Sequence, residues 1–162
     1  MKTKRYFKLI LKPYNVILKN FDEDIRISIG TKFCCFPQLE EKEIEIPIFE
    51  DKKGRKAFYE KMQRRLKEYK INGEFSSEIL SFLHEIGHIY TYEEQNEEEY
   101  TRDTELLSLL FKEKKLSAKQ LNEFYVRLPL ETNATKWAID FAMQNKKFCK
   151  YYQNKIGKEI SK

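Results

Sequence analysis

Cysteine, proline and glycine are scarce in this chain of 162 residues, which has three, four and five of them respectively. So little proline and glycine argues against a disordered chain and against a repeat-rich β protein. The cysteines are Cys34, Cys35 and Cys149, an odd number with two adjacent, so they do not form a disulfide framework. Since they also lack C-x-x-C spacing, we expect reduced thiols that are buried as small hydrophobic residues.

The chain also lacks a long apolar run. No segment reaches the roughly 20 apolar residues that a membrane-spanning helix requires, and the first apolar stretch is interrupted by Lys12 and Pro13. We therefore expect no membrane partner and a cytoplasmic location. The composition is 41% hydrophobic, 35% charged and 14% aromatic, which predicts one globular domain with an aromatic-rich core.

The net charge of +5 is unevenly distributed along the chain. Residues 51–70 include nine basic and three acidic residues, whereas residues 93–105 include seven acidic residues and Arg102. We interpret 93–100 as an acidic loop and 147–162 as a basic tail, both solvated. A basic surface could also bind nucleic acid. Only seven of the 31 basic residues are arginine, however, and arginine is the better reader of phosphates and bases.

Alternating or β-rich apolar patterns dominate the first 50 residues. The predicted strands are residues 14–18, 25–29, 32–36 and 44–48. Pro47 cannot donate a ladder hydrogen bond, so the last strand is predicted to be an edge strand or to end near Pro47. As an edge strand, Ile44, Glu45 and Ile46 could bind a substrate peptide by β-addition.

From residue 55 onwards the apolar spacing becomes helical. Helices are predicted for residues 55–70, from Ser76 or Ser77 to Tyr90 or Tyr92, for 103–115, from Ser117 to before Pro129, and for 129–146. The fold class is therefore α+β, with a small antiparallel or mixed sheet followed by helices. We predict a single domain over 1–162, with mainly strands in 1–50, mainly helices in 55–146 and the basic tail in 147–162.

The chain has only two histidines, and both lie in the run His84-Glu85-Ile86-Gly87-His88. Residues four apart project from one face of a helix, so both imidazoles can reach one ion. Glu85, about 100° away around the helix, is placed to act as a general base on water rather than as a ligand. The pattern predicts one bound divalent metal ion, with Zn²⁺ favoured. Gly87 in mid-helix predicts that another element packs closely there.

A catalytic zinc site needs a third protein ligand, and with no third histidine it must be a carboxylate or a cysteine. Glu131 is the favoured candidate because it lies in the first turn of its predicted helix, where Ala134 and Ala138 follow at helical spacing. Those small residues would allow this helix to approach the metal helix closely. Stabilisation of the helix dipole is the alternative role for Glu131. The alternative ligands are Asp140, Glu105 and Asp103.

The run Leu83-His84-Glu85-Ile86-Gly87-His88, followed by Glu131-x-x-Ala134-x-x-Trp137-Ala138, resembles the ImmA/IrrE-type metallopeptidases, small gluzincin-like enzymes of phages and mobile elements. The resemblance covers about residues 80–142 and implies a zincin-like helical core. It implies that His84, His88 and Glu131 bind one zinc ion and that Glu85 is the general base. The implied function is a zinc endopeptidase that cleaves a specific protein, a repressor or another regulator of a mobile element.

Hydrolysis at such a site also needs a donor that stabilises the oxyanion. Because both histidines are committed to the metal, a tyrosine is the natural choice. The candidates are Tyr90, Tyr92, Tyr100 and Tyr125.

Two other functions fit the same sequence. One is a non-proteolytic regulator that keeps zinc for structure and acts by protein binding, as a toxin–antitoxin partner or an inhibitor of a host defence. The other is nucleic-acid binding through the basic N-terminal half. Glu85 favours hydrolysis, since a structural metal site has no use for a general base.

Overall fold

The computed structural model of the chain describes residues 11–30, 34–36, 42–48, 60, 67, 74–92 and 97–160. The strands are β1 (Ile25–Gly30), β2 (Cys34–Phe36) and β3 (Lys42–Pro47). The helices are α1 (11–18), α2 (Ser77–Thr91), α3 (Glu97–Lys112), α4 (Ala118–Tyr125), α5 (Pro129–Gln144) and α6 (Lys146–Ile160). The fold class is α+β, as the sequence predicts.

The predicted helix over 55–70 lies almost wholly outside the described residues. Its two described positions, Glu60 and Lys67, are both helical.

The three strands form one mixed sheet in the order β1-β3-β2. β1 runs parallel to β3, with Ile27 opposite Ile44, and β2 runs antiparallel to β3, with Cys35 opposite Ile44. Ile44 and Ile46 are buried, whereas Glu43 and Glu45, which alternate with them, are partly exposed. This alternation places one face of β3 in the core, where α2 packs against β2 and β3.

The prediction that the strand at 44–48 is an edge strand is wrong. β3 is the central strand, with β1 on one side and β2 on the other. The strand does end at Pro47, so the missing N–H falls at the last position of the ladder. Since Ile44 and Glu45 are paired on both sides and Ile46 is paired with β1, this strand does not offer the free edge that β-addition requires.

The strand predicted at 14–18 is a helix, because residues 11–18 form α1. The β-branched Val16 and Ile17 suggested a strand, but the apolar spacing favours a helix. Tyr14, Ile17 and Leu18 lie on one face and are buried. The ring of Tyr14 packs edge-on against Phe82 of α2, with ring centroids 4.8 Å apart. Tertiary packing therefore overrides the β propensity of this short segment.

The predicted helices that contain α2, α4 and α5 are confirmed within one to three residues at each end. α3 begins earlier than predicted, at Glu97, so 97–100 is helical rather than part of an acidic loop, while 93–96 lie outside the described residues. The reason is that acidic residues in a first turn complement the helix dipole.

The predicted basic tail is also a helix, α6. Its buried residues Cys149, Tyr152 and Ile156 are spaced three and four apart, which puts them on one face, whereas Lys147, Lys150 and Lys155 are exposed. Burial of Cys149 agrees with the expectation for the thiols and raises its pKa to about 11. The side chains of Cys34 and Cys35 lie outside the described part of the structure.

The core of the molecule is organised around α2. The helix packs against α5 most extensively and also against α6, β2 and β3. Between residues 77 and 91, only Glu78 and Tyr90 are not buried. Within the described ranges, no helix combines the length and the apolar character needed to cross a membrane.

Candidate metal centre

The helix that carries both histidines is fixed at its start by two polar side chains. Ser76 is the N-cap, in extended conformation, and its hydroxyl accepts a hydrogen bond from the backbone N–H of Ile79. The backbone N–H of Ser76 donates to Oε1 of Gln153 on α6, at 2.9 Å. These bonds use N–H groups that a helix start otherwise leaves without partners.

His84 and His88 lie one turn apart on α2, as their spacing predicts, and both are buried. Their Nε2 atoms are 3.2 Å apart and their ring centroids 4.6 Å apart. Two buried imidazoles whose Nε2 atoms converge on the same point are typical of a cation-binding site.

Glu131 reaches this place from α5. Pro129 starts the helix, so Glu131 lies in its first turn, and its carboxylate is buried. Oε2 of Glu131 is 3.3 Å from Nε2 of His84, and Oε1 is 3.6 Å from Nε2 of His88. Among the described residues, His84, His88 and Glu131 are the group of ligating side chains close enough to hold one metal ion.

The alternative third ligands do not join this group. Asp140 lies on α5 about two and a half turns after Glu131 and is exposed. Asp103 and Glu105 lie on α3, outside the buried group of ligands.

A close helix crossing brings Glu131 to the histidines. A Cβ atom added to Gly87 would lie 2.5 Å from the backbone oxygen of Ala134 and 3.0 Å from its Cα atom. The backbones of α2 and α5 are therefore in contact at this point, which confirms the expectation from Gly87 and the alanines. Gly87 and Ala134 each follow a ligand, His84 and Glu131 respectively, by three residues. The crossing thus lies one turn from the centre.

The two helices run in the same direction. Contacts join His84 to Glu131, Gly87 to Ala134, and Tyr90 to Trp137. In each pair the second residue number exceeds the first by 47. The constant offset shows that the two helices are in one register along the whole contact. A shift of α5 along the axis of α2 would break all three contacts together and move Glu131 away from the imidazoles.

The donor atoms are spaced as ligands of a tetrahedral ion. Bonds of about 2.0–2.1 Å from zinc to nitrogen or oxygen give tetrahedral edges of about 3.3–3.4 Å between ligands. The Nε2 atoms of His84 and His88 are 3.2 Å apart, and each faces a different oxygen of the Glu131 carboxylate, at 3.3 and 3.6 Å respectively, so all three contacts are close to such an edge. Two imidazole nitrogens and one carboxylate oxygen are also the kind of ligand set that zinc takes in catalytic sites.

Thr135 belongs to the centre although no sequence motif indicates it. Its hydroxyl lies 3.1 Å from Nδ1 of His84 and donates to the carbonyl oxygen of Glu131 at 2.7 Å. The side chain is buried. Its position four residues after Glu131 is the signal that could have found it, since such residues share a helix face.

Glu85 is buried on α2 beside the two histidines in sequence, at 8% exposure. It is not one of the three residues of the ligand group. One residue of a helix turns by about 100°, so Glu85 projects to the side of the imidazoles. This agrees with a role other than that of a ligand.

Tyr90, one of the candidate oxyanion donors, packs against aromatic side chains. Tyr90 stacks on Trp137, with ring centroids 5.0 Å apart, and also contacts Phe21. Partial burial raises the pKa of Tyr90, against the effect of a hydrogen bond with the backbone of Asp22. Six residues after His84, its side chain leaves α2 about 240° around the axis, away from the imidazoles.

The other candidate tyrosines are not in the ligand group either. Tyr92 follows the last residue of α2, and Tyr125 is exposed at the end of α4. The side chain of Tyr100 lies outside the described part of the structure.

No family model, no curated protein and no solved structure matches this chain.

Proposed function

We propose that the protein is a zinc-dependent hydrolase, and specifically an endopeptidase that cleaves a protein. The observation that carries this proposal is the buried group of His84, His88 and Glu131. The two Nε2 atoms are 3.2 Å apart and each lies 3.3–3.6 Å from an oxygen of the Glu131 carboxylate, which is close to the edge length of a zinc tetrahedron. Three protein ligands leave a fourth position for water or substrate, and this is the arrangement of catalytic rather than structural zinc sites.

The chemistry of the donors favours zinc over other common cations. Calcium and magnesium prefer six or more oxygen ligands, whereas two of the three donors here are imidazole nitrogens. Neutral imidazole and carboxylate are ordinary ligands of zinc.

Glu85 is the residue that the proposal assigns to proton transfer. A zinc ion bound by the three ligands would supply Lewis acidity, which lowers the pKa of water and polarises a carbonyl group. The carboxylate of Glu85 would take a proton from water and return it to the leaving amine. Its burial strengthens electrostatic interactions of this kind, because the surroundings have a low dielectric constant.

The substrate class in this proposal comes from the resemblance to the ImmA/IrrE-type metallopeptidases. It is a repressor or another regulatory protein of a mobile element. In this proposal α2 and α5 form the zincin-like core, because they provide all three ligands.

Metal binding tests the site itself. Purified protein should bind one equivalent of zinc by elemental analysis, and Glu131→Gln should weaken binding by more than the roughly 10–100-fold typical of outer-shell changes. Asp140→Asn is the matched control, since Asp140 is an exposed carboxylate on the same helix. Wild-type protein that binds no zinc, or equal binding by both variants, would contradict the proposed centre.

Cleavage tests the reaction. Zinc-loaded protein is incubated with a proteome-derived peptide library, and new peptide termini are counted by mass spectrometry. Glu85→Gln should retain zinc and lose cleavage, because an amide cannot accept the proton from water. If the zinc-loaded wild type produces no more termini than Glu85→Gln, proteolysis is excluded for these substrates and a role in protein binding is favoured.

A further inference from the structure

One buried hydroxyl group connects the two helices of the metal centre. Oγ1 of Thr135 lies 3.1 Å from Nδ1 of His84 on α2 and 2.7 Å from the carbonyl oxygen of Glu131 on α5. Thr135 is 4% exposed. The same oxygen atom therefore contacts the ring of one ligand and the backbone of another, away from solvent.

The single hydrogen of this hydroxyl decides the direction of both bonds. Thr135 donates it to the carbonyl oxygen of Glu131, because a carbonyl oxygen can only accept. Toward His84 the hydroxyl oxygen is then left as an acceptor, so Nδ1 of His84 must carry a hydrogen. In a neutral imidazole that has its hydrogen on Nδ1, the other nitrogen, Nε2, keeps its lone pair.

That lone pair is located where a metal ligand needs it. Nε2 of His84 is the atom that lies 3.2 Å from Nε2 of His88 and 3.3 Å from Oε2 of Glu131. A carboxylate oxygen facing an imidazole lone pair at this distance is unfavourable unless a proton or a metal ion lies between them. A hydrogen on Nδ1 held by Thr135 is compatible with the metal ion, because it leaves Nε2 free to bind it.

We propose that Thr135 is a positioning residue, which holds His84 in the tautomer with hydrogen on Nδ1 and so prepares Nε2 to bind the metal ion. This proposal rests on the metal centre of the proposed function. Residues that accept from the second nitrogen of a ligand histidine fix its tautomer and ring orientation, and their loss typically weakens metal binding about 10–100-fold.

The test compares two variants of the full chain. Thr135→Val keeps the branched shape and removes the hydroxyl, whereas Thr135→Ser keeps the hydroxyl and removes a methyl group. Zinc affinity is measured by competition with a chromophoric chelator. We expect Thr135→Val to bind zinc about 10–100-fold more weakly and Thr135→Ser to bind it nearly as tightly as the wild type. A purely steric role would predict the opposite order, because valine is the closer match in shape.

A second measurement reads the tautomer directly. Long-range ¹H–¹⁵N correlation spectra of metal-free wild-type protein are recorded at about pH 8, where free imidazole is neutral. We expect the hydrogen of His84 on Nδ1 in the wild type and in Thr135→Ser. In the Thr135→Val spectrum, a larger fraction of His84 should carry its hydrogen on Nε2.

The two proposals fail in distinguishable ways. If wild-type protein binds no zinc, the proposed function fails, and the wild-type spectrum still decides the tautomer. If wild-type protein binds zinc but Thr135→Val binds it equally well, the role of Thr135 fails while the metal centre stands. Hydrogen on Nε2 of His84 in the metal-free wild type would overturn the positioning role even if Thr135→Val did not fold.

Discussion

The α2–α5 pair and the α3–α4 hairpin both consist of helices with closely spaced apolar residues, yet they bury them to very different extents. Leu80, Leu83 and Ile86 of α2 are at most 1% exposed. In the hairpin, Leu106 and Leu109 are each 52% exposed, and Phe124 is 51% exposed. Apolar residues at helical spacing therefore do not by themselves determine which helix enters the core.

The two regions are also held together by different interactions. The hairpin is held by local contacts. The capping box of Ser117 and Gln120 starts α4, and after α3 the chain takes a φ of 57° at Lys114, where the backbone N–H of Lys115 donates to the carbonyl oxygen of Leu110. The α2–α5 pair depends on contacts between residues 47 positions apart, at a crossing that Gly87 makes possible. The pair thus combines long-range packing with the polar centre, whereas the hairpin forms from neighbours in sequence. The predictions below test this contrast, and the largest expected effect comes first.

Truncation of a leucine in each region should separate them most clearly. Leu83→Ala should lower the free energy of unfolding by about 2–5 kcal/mol, because it removes a fully buried side chain. Leu109→Ala should change it by no more than about 0.5 kcal/mol, since the side chain is largely in water. Urea denaturation of both variants measures the difference. Equal losses would show that the hairpin face is covered in the folded protein.

The second prediction concerns the helix crossing. Gly87→Ala places a methyl group 2.5 Å from the backbone oxygen of Ala134, which cannot move independently of its helix. Overpacking of this kind costs about 1–3 kcal/mol, and since the obstacle is backbone we expect the upper part of that range. Zinc affinity should fall as well, because the added methyl group would push α5 away from α2 and thereby move Glu131 away from the imidazoles.

Ser108→Ala on the exposed face of α3 is the matched control for Gly87→Ala. It introduces the same residue into a helix where nothing packs closely, so stability should change by less than about 0.5 kcal/mol. If Gly87→Ala instead raised the free energy of unfolding, as the better helix propensity of alanine alone would do, the close approach of α2 and α5 would be contradicted.

The smallest expected effect is a pH dependence from the buried thiol of Cys149, on α6, which packs against α2. Burial raises the pKa of the Cys149 thiol to about 11, from an ordinary value of 9.0. Between these values the unfolded chain loses this proton while the folded protein keeps it, so stability falls as the pH rises. Cys149→Ala should reduce the loss of unfolding free energy between about pH 8 and pH 10.5. If the free energies of unfolding of the wild type and of Cys149→Ala changed in parallel with pH, the raised pKa of Cys149 would be refuted.

The pair of histidines in the candidate metal centre was predictable from the sequence because one helix carries both at a spacing of four. Glu131 was predictable because two alanines on its face indicated a close approach, and Gly87 indicated the partner. Thr135 was not predicted: its position four residues after Glu131 places it on the same helix face, but that spacing alone does not distinguish it from other residues of the face.

The errors in the fold have different physical origins. The position of β3 in the sheet depends on which distant segments pair with it, and Pro47 restricts only its last position. In α1, the β-branched residues favour a strand by propensity, whereas the spacing of Tyr14, Ile17 and Leu18 favours a helix. The burial of these three side chains decides the conformation of such a short segment. In α6, the abundance of lysine obscured a narrow apolar face.

The hydrogen bond from Ser76 to Gln153 has a consequence for the biosynthesis of the protein. Helix α2 leaves the ribosome before α5 and α6. Glu131 follows His84 by 47 residues, and Gln153 follows Ser76 by 77. At about 5–20 residues per second, several seconds separate the two histidines from the residues that complete and anchor their surroundings. Under the proposed function, the nascent chain therefore offers a metal ion only a pair of imidazoles until α5 has been made, and the start of α2 gains its contact with Gln153 only when α6 follows.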